Sequence, residues 1–323
     1  MQRVRLCLIA AALIGLAAPS SAQTQNWPTR PIRVIVPYTP GSASDIIPRT
    51  VFARVQEKLG QPIIVEDRPG GGSVIGTADV ARANPDGYTF LSTASAFTTV
   101  PVTVDRLPYD PRRDFTAVIP LANMSNVLVV SPDLKIKTLA DFVAYARAQR
   151  GAVNYVAIGS GSAAQFNSER FRLAAKFEAQ PIPYKGSPEG IADVMSGRVQ
   201  FYFSPLLPAL PLIRGGKLVA LAVSSAQRDP RLPEVPTTLE AGYPNSEYNF
   251  WFGVFAPAKT PPAIVAHFHS EIAAALRDAS VRDKLANLGV QPMPMTPAEF
   301  NAYVDRELTQ NADVVKAAGL KGE

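Results

Sequence analysis

The 323-residue sequence holds a single cysteine, Cys7, and only two histidines, His267 and His269. Cys7 sits close to the N-terminus, so the body of the chain has no disulfide and no catalytic thiol, and its stability must come from burial. The histidines are two apart, which places them on different sides of a helix and prevents chelation of the kind an i, i+4 pair allows. Neither lies near a glycine-rich loop. Gly-x-Ser-x-Gly and Gly-x-x-x-x-Gly-Lys-Ser/Thr are missing, and no Gly-x-Gly-x-x-Gly follows the first strand. A hydrolytic nucleophile elbow, a phosphate cradle and a dinucleotide fingerprint are thereby excluded. Charge is scarce, at 18%, and the basic residues form no block of five or six, which excludes a nucleic-acid stripe. Past the N-terminal segment no run of 18 apolar residues occurs. The hydrophobic content of 47% excludes disorder, and 21 glycines without a period exclude collagen-like order.

The first 22 residues read as a leader. Arg3 and Arg5 form a basic start, residues 6–18 an apolar run, and Pro19-Ser20-Ser21-Ala22 a small-residue cleavage site. A retained anchor helix is the other reading, but the run is shorter than the about 20 residues that span a bilayer. Cys7 is too early for a lipid-bearing cysteine. Cleavage after Ala22 takes 22 from 323 residues and leaves 301, and loss of Arg3 and Arg5 takes the formal charge from +5 to +3. A weakly basic, exported protein suits small anionic ligands. Its length fits one large or two medium domains of about 100–200 residues each.

Strand and helix patterns then alternate. Residues 32–38 form an apolar run, followed by a Gly/Ser loop and a helix from Asp45 to Leu59. Asp45 is expected as N-cap, Pro48 in the first turn and Gly60 as the stop. Ile47, Val51, Val55 and Leu59 recur at i+4 as one buried stripe. Strands at 62–66 and 88–93 enclose a helix at 73–83, giving β-α-β-α-β and hence a parallel sheet covered on both faces. Residues 94–114 look irregular. A second series starts at 127–130, with helices at 138–149, 162–177 and 187–196, strands at 153–158, 182–184, 199–203 and 218–223, and a short helix ending at Arg214. After a proline-rich crossing come a strand at 248–255 and three helices, from Pro262, Val281 and Thr296. The last opens on the capping box Thr296-Pro297-Ala298-Glu299.

Each series contains the same device, a strand running into a glycine- and serine-bearing loop that opens a helix. The first is Val36-Pro37-Tyr38-Thr39-Pro40-Gly41-Ser42-Ala43-Ser44-Asp45, the second Val156-Ala157-Ile158-Gly159-Ser160-Gly161-Ser162. Ligands of parallel α/β sheets lie beyond the carboxyl ends of the strands, and helix N-termini attract anions. Two such lobes facing each other would clamp a small anion.

At these loops a family resemblance appears. Trp27-Pro28-Thr29-Arg30-Pro31-Ile32-Arg33, the first loop, Val65-Glu66-Asp67-Arg68-Pro69-Gly70 and Asn84-Pro85-Asp86-Gly87-Tyr88-Thr89 stand in family order. So do Leu107-Pro108-Tyr109-Asp110, Pro183-Tyr184-Lys185-Gly186, Gly216-Lys217-Leu218, Leu221-Ala222-Val223-Ser224-Ser225 and Leu232-Pro233-Glu234-Val235-Pro236-Thr237. Together they resemble the extracytoplasmic solute-binding proteins of tripartite tricarboxylate transporters, the Bug family, over essentially the whole chain after the leader. The resemblance implies an α/β, two-lobed periplasmic binding protein fold of type II with the ligand cleft between the lobes. Residues 23–125 with 251–323 would form the first lobe and 126–250 the second. It further implies no enzyme activity, no cofactor and no metal. The protein would be a monomer that delivers a carboxylate to membrane permease subunits and binds no nucleic acid.

The family holds its ligand carboxylate on the first loop, which maps here to Gly41, Ser42, Ala43, Ser44 and Asp45, with Tyr38 beside it. Its second-lobe pattern Ser-Gly-x-Gly-Ser-x-x-His maps in part, to Gly161 and Ser162, with Gln165 at the histidine position. The family's aspartate on a later strand falls at Ser204. Other readings stand beside these. Asp45 and Gln165 could serve only as helix caps, and Tyr38, Phe97, Phe201, Tyr202, Phe203 and Trp251 could be core as well as pocket wall. Without a carboxylate at Ser204 an ammonium-bearing ligand lacks a partner, so a dicarboxylate or aromatic acid is expected over an amino acid. A sensory binding protein that docks on a receptor kinase would carry the same pocket.

Overall fold

The computed structural model of the protein describes residues 27–158, 162–184 and 186–319. The expected leader, its cleavage point and Cys7 lie outside the described residues, as do Gly159, Ser160, Gly161 and Lys185.

Three segments of chain build the molecule. The first contains β1 (Ile32–Val36), α1 (Ala43–Leu59), β2 (Ile63–Asp67), α2 (Val74–Ala81), β3 (Thr89–Ala94), α3 (Ala96–Thr103) and β4 (Phe115–Met124). The second contains β5 (Asn126–Val130), α4 (Leu139–Ala148), β6 (Val153–Ala157), α5 (Ala163–Ala175), β7 (Ala179–Pro183), α6 (Ser187–Met195), β8 (Tyr202–Pro205), α7 (Leu206–Arg214) and β9 (Val219–Val223). The third returns with β10 (Phe250–Pro257), α8 (Pro262–Arg277), α9 (Ala279–Asn287), β11 (Gln291–Pro292) and α10 (Pro297–Ala318). None of the described helices is long and apolar enough to cross a membrane.

The first and third segments share one six-stranded sheet in the order β11-β4-β10-β3-β1-β2. β1 runs parallel to β2 and β3, as the β-α-β-α-β pattern requires. β10 then pairs antiparallel with both β3 and β4, so the sheet is mixed and not wholly parallel. Ile32, Val34, Ile35 and Val36 of β1 are all buried, because helices cover both faces and leave no polar side. The α1 stripe Ile47, Val51 and Val55 packs on this sheet beside Phe268 and Ile272 of α8. The second segment makes the antiparallel sheet β8-β5-β9 and the parallel pair β6-β7, joined by a bridge between Tyr155 and Phe201. Ser125 alone separates β4 from β5, so the chain leaves one sheet and enters the other within a single residue.

Three local expectations are corrected and one strand is added. α1 begins at Ala43 with Ser42 as N-cap, three residues before Asp45, where the cap is expected. Pro48 is therefore the sixth helical residue and sits in the second turn, where its missing N–H leaves the Ser44 carbonyl without its i+4 donor. The stretch 94–114 contains α3, whose sequence Ala-Phe-Thr-Thr-Val-Pro-Val-Thr shows no helical stripe. It is held by burial of Phe97 against Phe115 and Phe255. Residues 115–124, which lie between the two series and belong to neither, form β4. Pro120 is tolerated because the ladder to β10 slips there, from Phe252 opposite Ala122 to Gly253 opposite Pro120, so that the proline lies at a bulge.

α10 packs on the first sheet through Phe300, Val304 and Leu308, as expected. Gly253 makes that approach possible, since a Cβ there would stand 2.5 Å from the Phe300 ring. The far half of α10 goes elsewhere. Glu307, Asn311 and Val314 reach α5 of the second segment.

Candidate functional site

The first loop leaves β1 and turns at Gly41, where φ is +79°, a conformation that penalises any Cβ. The Gly41 amide donates to Asp45 Oδ2 at 2.8 Å, and the other Asp45 oxygen accepts from Arg49 Nε. Arg49 also donates to Asp67 Oδ2 at 2.8 Å. Burial and the Asp45 charge push the Asp67 carboxyl above its ordinary range, against the pull of Arg49. Asp45 thus folds the loop back on itself and has both oxygens engaged. Ser42 holds the N-cap position, yet its hydroxyl caps nothing. Its Oγ is buried and has no hydrogen-bond partner among the described residues. The first-turn amides of Ala43 and Ser44 have no partner within the helix, as at every helix start. The loop therefore offers donors and the positive end of a helix, which suits an anion.

Tyr38 is half-buried beside this loop. Its hydroxyl lies 3.2 Å from Thr93 Oγ1 and accepts from the Ala94 amide at 3.3 Å. Burial raises its pKa, the hydroxyl partners notwithstanding, so it remains a neutral phenol.

In the second lobe Ser162 is the N-cap of α5, and its hydroxyl accepts from the Gln165 amide at 3.3 Å. That is the Ser162 half of the expected capping box. Gln165 is buried on α5. Gly161 lies outside the described residues. Ser204 is completely buried at the end of β8, where it donates to the Pro205 carbonyl at 3.0 Å. The next residue, Leu206, donates its amide to the Ser125 carbonyl, which sets Ser204 beside the passage between the sheets.

A relay of contacts links the two helix starts. Ala163, the first residue of α5, packs against the cluster of Phe166, Tyr248 and Val314. The Tyr248 hydroxyl donates to Ser95 Oγ at 3.2 Å, and Ser95 follows Ala94, the residue bonded to Tyr38. Ser162 and Tyr38 are thereby linked through the buried side chains of Tyr248 and Ser95. Sequence reasoning missed Tyr248 and Ser95, because a tyrosine ahead of a strand and a serine after one carry no motif. It also missed Asn167. That side chain is completely buried on α5, and neither its Oδ1 nor its Nδ2 has a partner among the described residues.

The other aromatic candidates are core. Phe97 stacks on Phe255 and Trp251 meets Phe300 edge-on, both in the first lobe. Phe201 and Phe203 pack around Phe142 and Phe171, and Tyr202 is buried with its hydroxyl on Ser187. The histidines are apart: His267 lies against Trp27, and His269 Nε2 is 3.1 Å from the Met295 carbonyl. Among the described residues no cluster of three His, Cys, Asp or Glu could hold a metal.

The geometry has known counterparts. The model of the tripartite tricarboxylate transporter family receptor matches residues 47–320. Protein BugT of Bordetella pertussis is 36% identical over 312 residues, covering 96% of this chain and 95% of that protein. Among solved structures, Rpa4515 of R. palustris with adipate is 34% identical with a TM-score of 0.74, over 92% of this chain and 100% of that one. MatC from Rhodopseudomonas palustris with bound malate is 30% identical with a TM-score of 0.70, over 90% and 100%. Members of this family are periplasmic, two-lobed proteins that bind solutes and do not transform them. With most of its length matched, the chain belongs to the tripartite tricarboxylate transporter receptor family.

Proposed function

We propose that the protein captures a small carboxylate without an amino group, an aliphatic dicarboxylate or an aromatic acid, and delivers it to the permease subunits of a tripartite tricarboxylate-type transporter. It would work in the periplasm as a monomer, exported by its leader and cleaved after Ala22. Residues 23–125 with 251–323 and residues 126–250 would be the two lobes, a division supported by the membership of the two sheets. The ligand would be held by Tyr38, Gly41, Ser42, Ala43, Ser44 and Asp45 from one side and by Gly161, Ser162, Gln165 and Ser204 from the other. Within that set Asp45 acts by folding the loop that presents the donors.

One observation carries the choice of ligand. The only carboxylate of the first loop, Asp45, already accepts from Gly41 and Arg49, and the position that the family resemblance gives to an aspartate is Ser204, whose hydroxyl donates to the Pro205 carbonyl. An ammonium enclosed there would find no free carboxylate at either of these two positions, which is costly away from water. A carboxylate instead meets the unpartnered Ser42 hydroxyl and the first-turn amides of α1. Adipate on Rpa4515 and malate on MatC agree with this chemistry.

The test is a thermal-shift panel on residues 23–323 with adipate, malate, benzoate and the amino acids. A ligand at about 100 times its dissociation constant stabilises by about 2.7 kcal/mol, a readily visible shift. The expected result is a shift with one or more simple acids, lost when Ser162→Trp fills the start of α5. A largest shift from an amino acid would overturn the ligand class.

A further inference from the structure

We propose that Arg170 is a positioning residue for the second-lobe half of the ligand site, because it pins α5, and with it Ser162, to the first lobe. Arg170 lies two turns along α5 from Ser162, and its side chain is 2% exposed. One guanidinium nitrogen donates to Glu307 Oε1 at 3.1 Å and to Asn311 Oδ1 at 2.8 Å, both on α10. Another donates to the Glu247 carbonyl at 2.9 Å, just before the chain returns to the first sheet. The guanidinium also lies 5.2 Å from the centre of the Tyr248 ring.

The acceptors are themselves fixed by the first lobe. Asn311 Nδ2 donates to both the carbonyl and the hydroxyl of Thr98 at 3.1 Å. The Thr98 hydroxyl is also within 2.8 Å of the Ser95 carbonyl, and Ser95 accepts from Tyr248. The network thus ties α5 to α10 and α3, across the two lobes, beside Tyr248 and Ser95.

Net stability does not account for such a pair, since apolar side chains of similar volume usually replace a buried ion pair at little cost. What the pair adds is direction. A planar guanidinium with three acceptors fits one placement of α5 on α10, whereas an apolar contact tolerates several. The Phe166, Tyr248 and Val314 cluster alongside could slide; the ion pair cannot without leaving a buried charge unpaired.

The experiment measures the distance between the lobes with no ligand present. Cys7 is the sole cysteine and belongs to the leader, so residues 23–323 accept spin labels cleanly at Lys58→Cys and Lys217→Cys. The original Arg170–Glu307 pair should give one narrow distance distribution. The paired variant Arg170→Met with Glu307→Met leaves no unpaired charge, so it should fold with a similar melting temperature while the distribution broadens. Arg170→Lys, which keeps the charge but not the fork, should broaden it to an intermediate degree. An unchanged distribution in the paired variant would overturn the proposal. A second arm rests on the carboxylate-binding reading. If the competent arrangement falls to a tenth of the population, affinity for adipate or malate falls about tenfold. Failure of both acids to bind even the original protein would sink that reading alone and leave the distance result standing.

Discussion

At the scale of the residue, Gly41 and Asp45 show how a loop is made into a donor surface. Gly41 needs its positive φ, while the space around its Cα is open, with nothing within 4 Å of where a Cβ would be. Gly41→Ala should therefore cost only the left-handed strain, roughly 1–2 kcal/mol by urea unfolding, and Gly41→Asn less. Equal and larger losses from both would show a steric cause instead. Asp229 is a second case. Burial alone would raise its carboxyl, but Arg231, held on both oxygens at 2.8 Å, and the Arg231 amide hold it below the ordinary value of 3.8. The folded state thus favours the ionised form. Its stabilisation is fully present above the ordinary value and is lost as pH falls through the lower folded one. Asp229→Asn should lower stability at neutral pH and flatten the acid limb of a urea series run from about pH 6 to about pH 2. An unchanged acid limb would show that the Arg231 contacts do not matter in solution.

At the scale of the element, the helices with chemical punctuation were legible and the pieces held by remote partners were not. α10 follows its capping box in full: Thr296 Oγ1 accepts from the Glu299 amide at 3.2 Å, and Glu299 Oε2 accepts from the Thr296 amide at 2.8 Å. Thr296→Ala should lose about 1 kcal/mol in chemical denaturation. Gly60 likewise ends α1 in the left-handed conformation. α3 and β4 lacked such marks. Nothing in the string says that Phe97 will meet Phe255, some 160 residues on, or that β10 will slip by one residue to admit Pro120. Gly253 belongs with these, since its need is set by Phe300. That ring is itself wedged between Trp251 and Phe255, with centroids 5.3 and 5.1 Å away, so it has no room to retreat. Gly253→Ala should cost about 1–3 kcal/mol, and a neutral result would mean α10 can shift as a body.

At the scale of the whole molecule, the two lobes are joined by Ser125, by the long return from β9 to β10, and by α10, whose first half packs on one lobe and whose second half reaches the other. Trp27 and Trp251, the two tryptophans of the chain, both pack in the first lobe, so their fluorescence follows that lobe, whereas far-UV circular dichroism follows both. The α5–α10 network and the Phe166–Tyr248 cluster should make the lobes unfold together, with one urea midpoint by both probes. Two separated midpoints would show that the lobes are energetically independent.

The sequence by itself determined the class of architecture and the two loop-to-helix devices, because periodicity, caps and turn glycines act over a few residues. It also pointed to Ser204 as a position without a charge where the family resemblance implies an aspartate. Only the tertiary structure decided that Asp45 folds its loop instead of capping the helix, since the decision rests on Arg49 and Asp67 meeting it in space. The same is true of Tyr248 and Ser95, brought from 153 positions apart to within 3.2 Å. Local pattern sets which elements form; which side chains from distant segments meet depends on how the two sheets are held, and no short-range signal carries that.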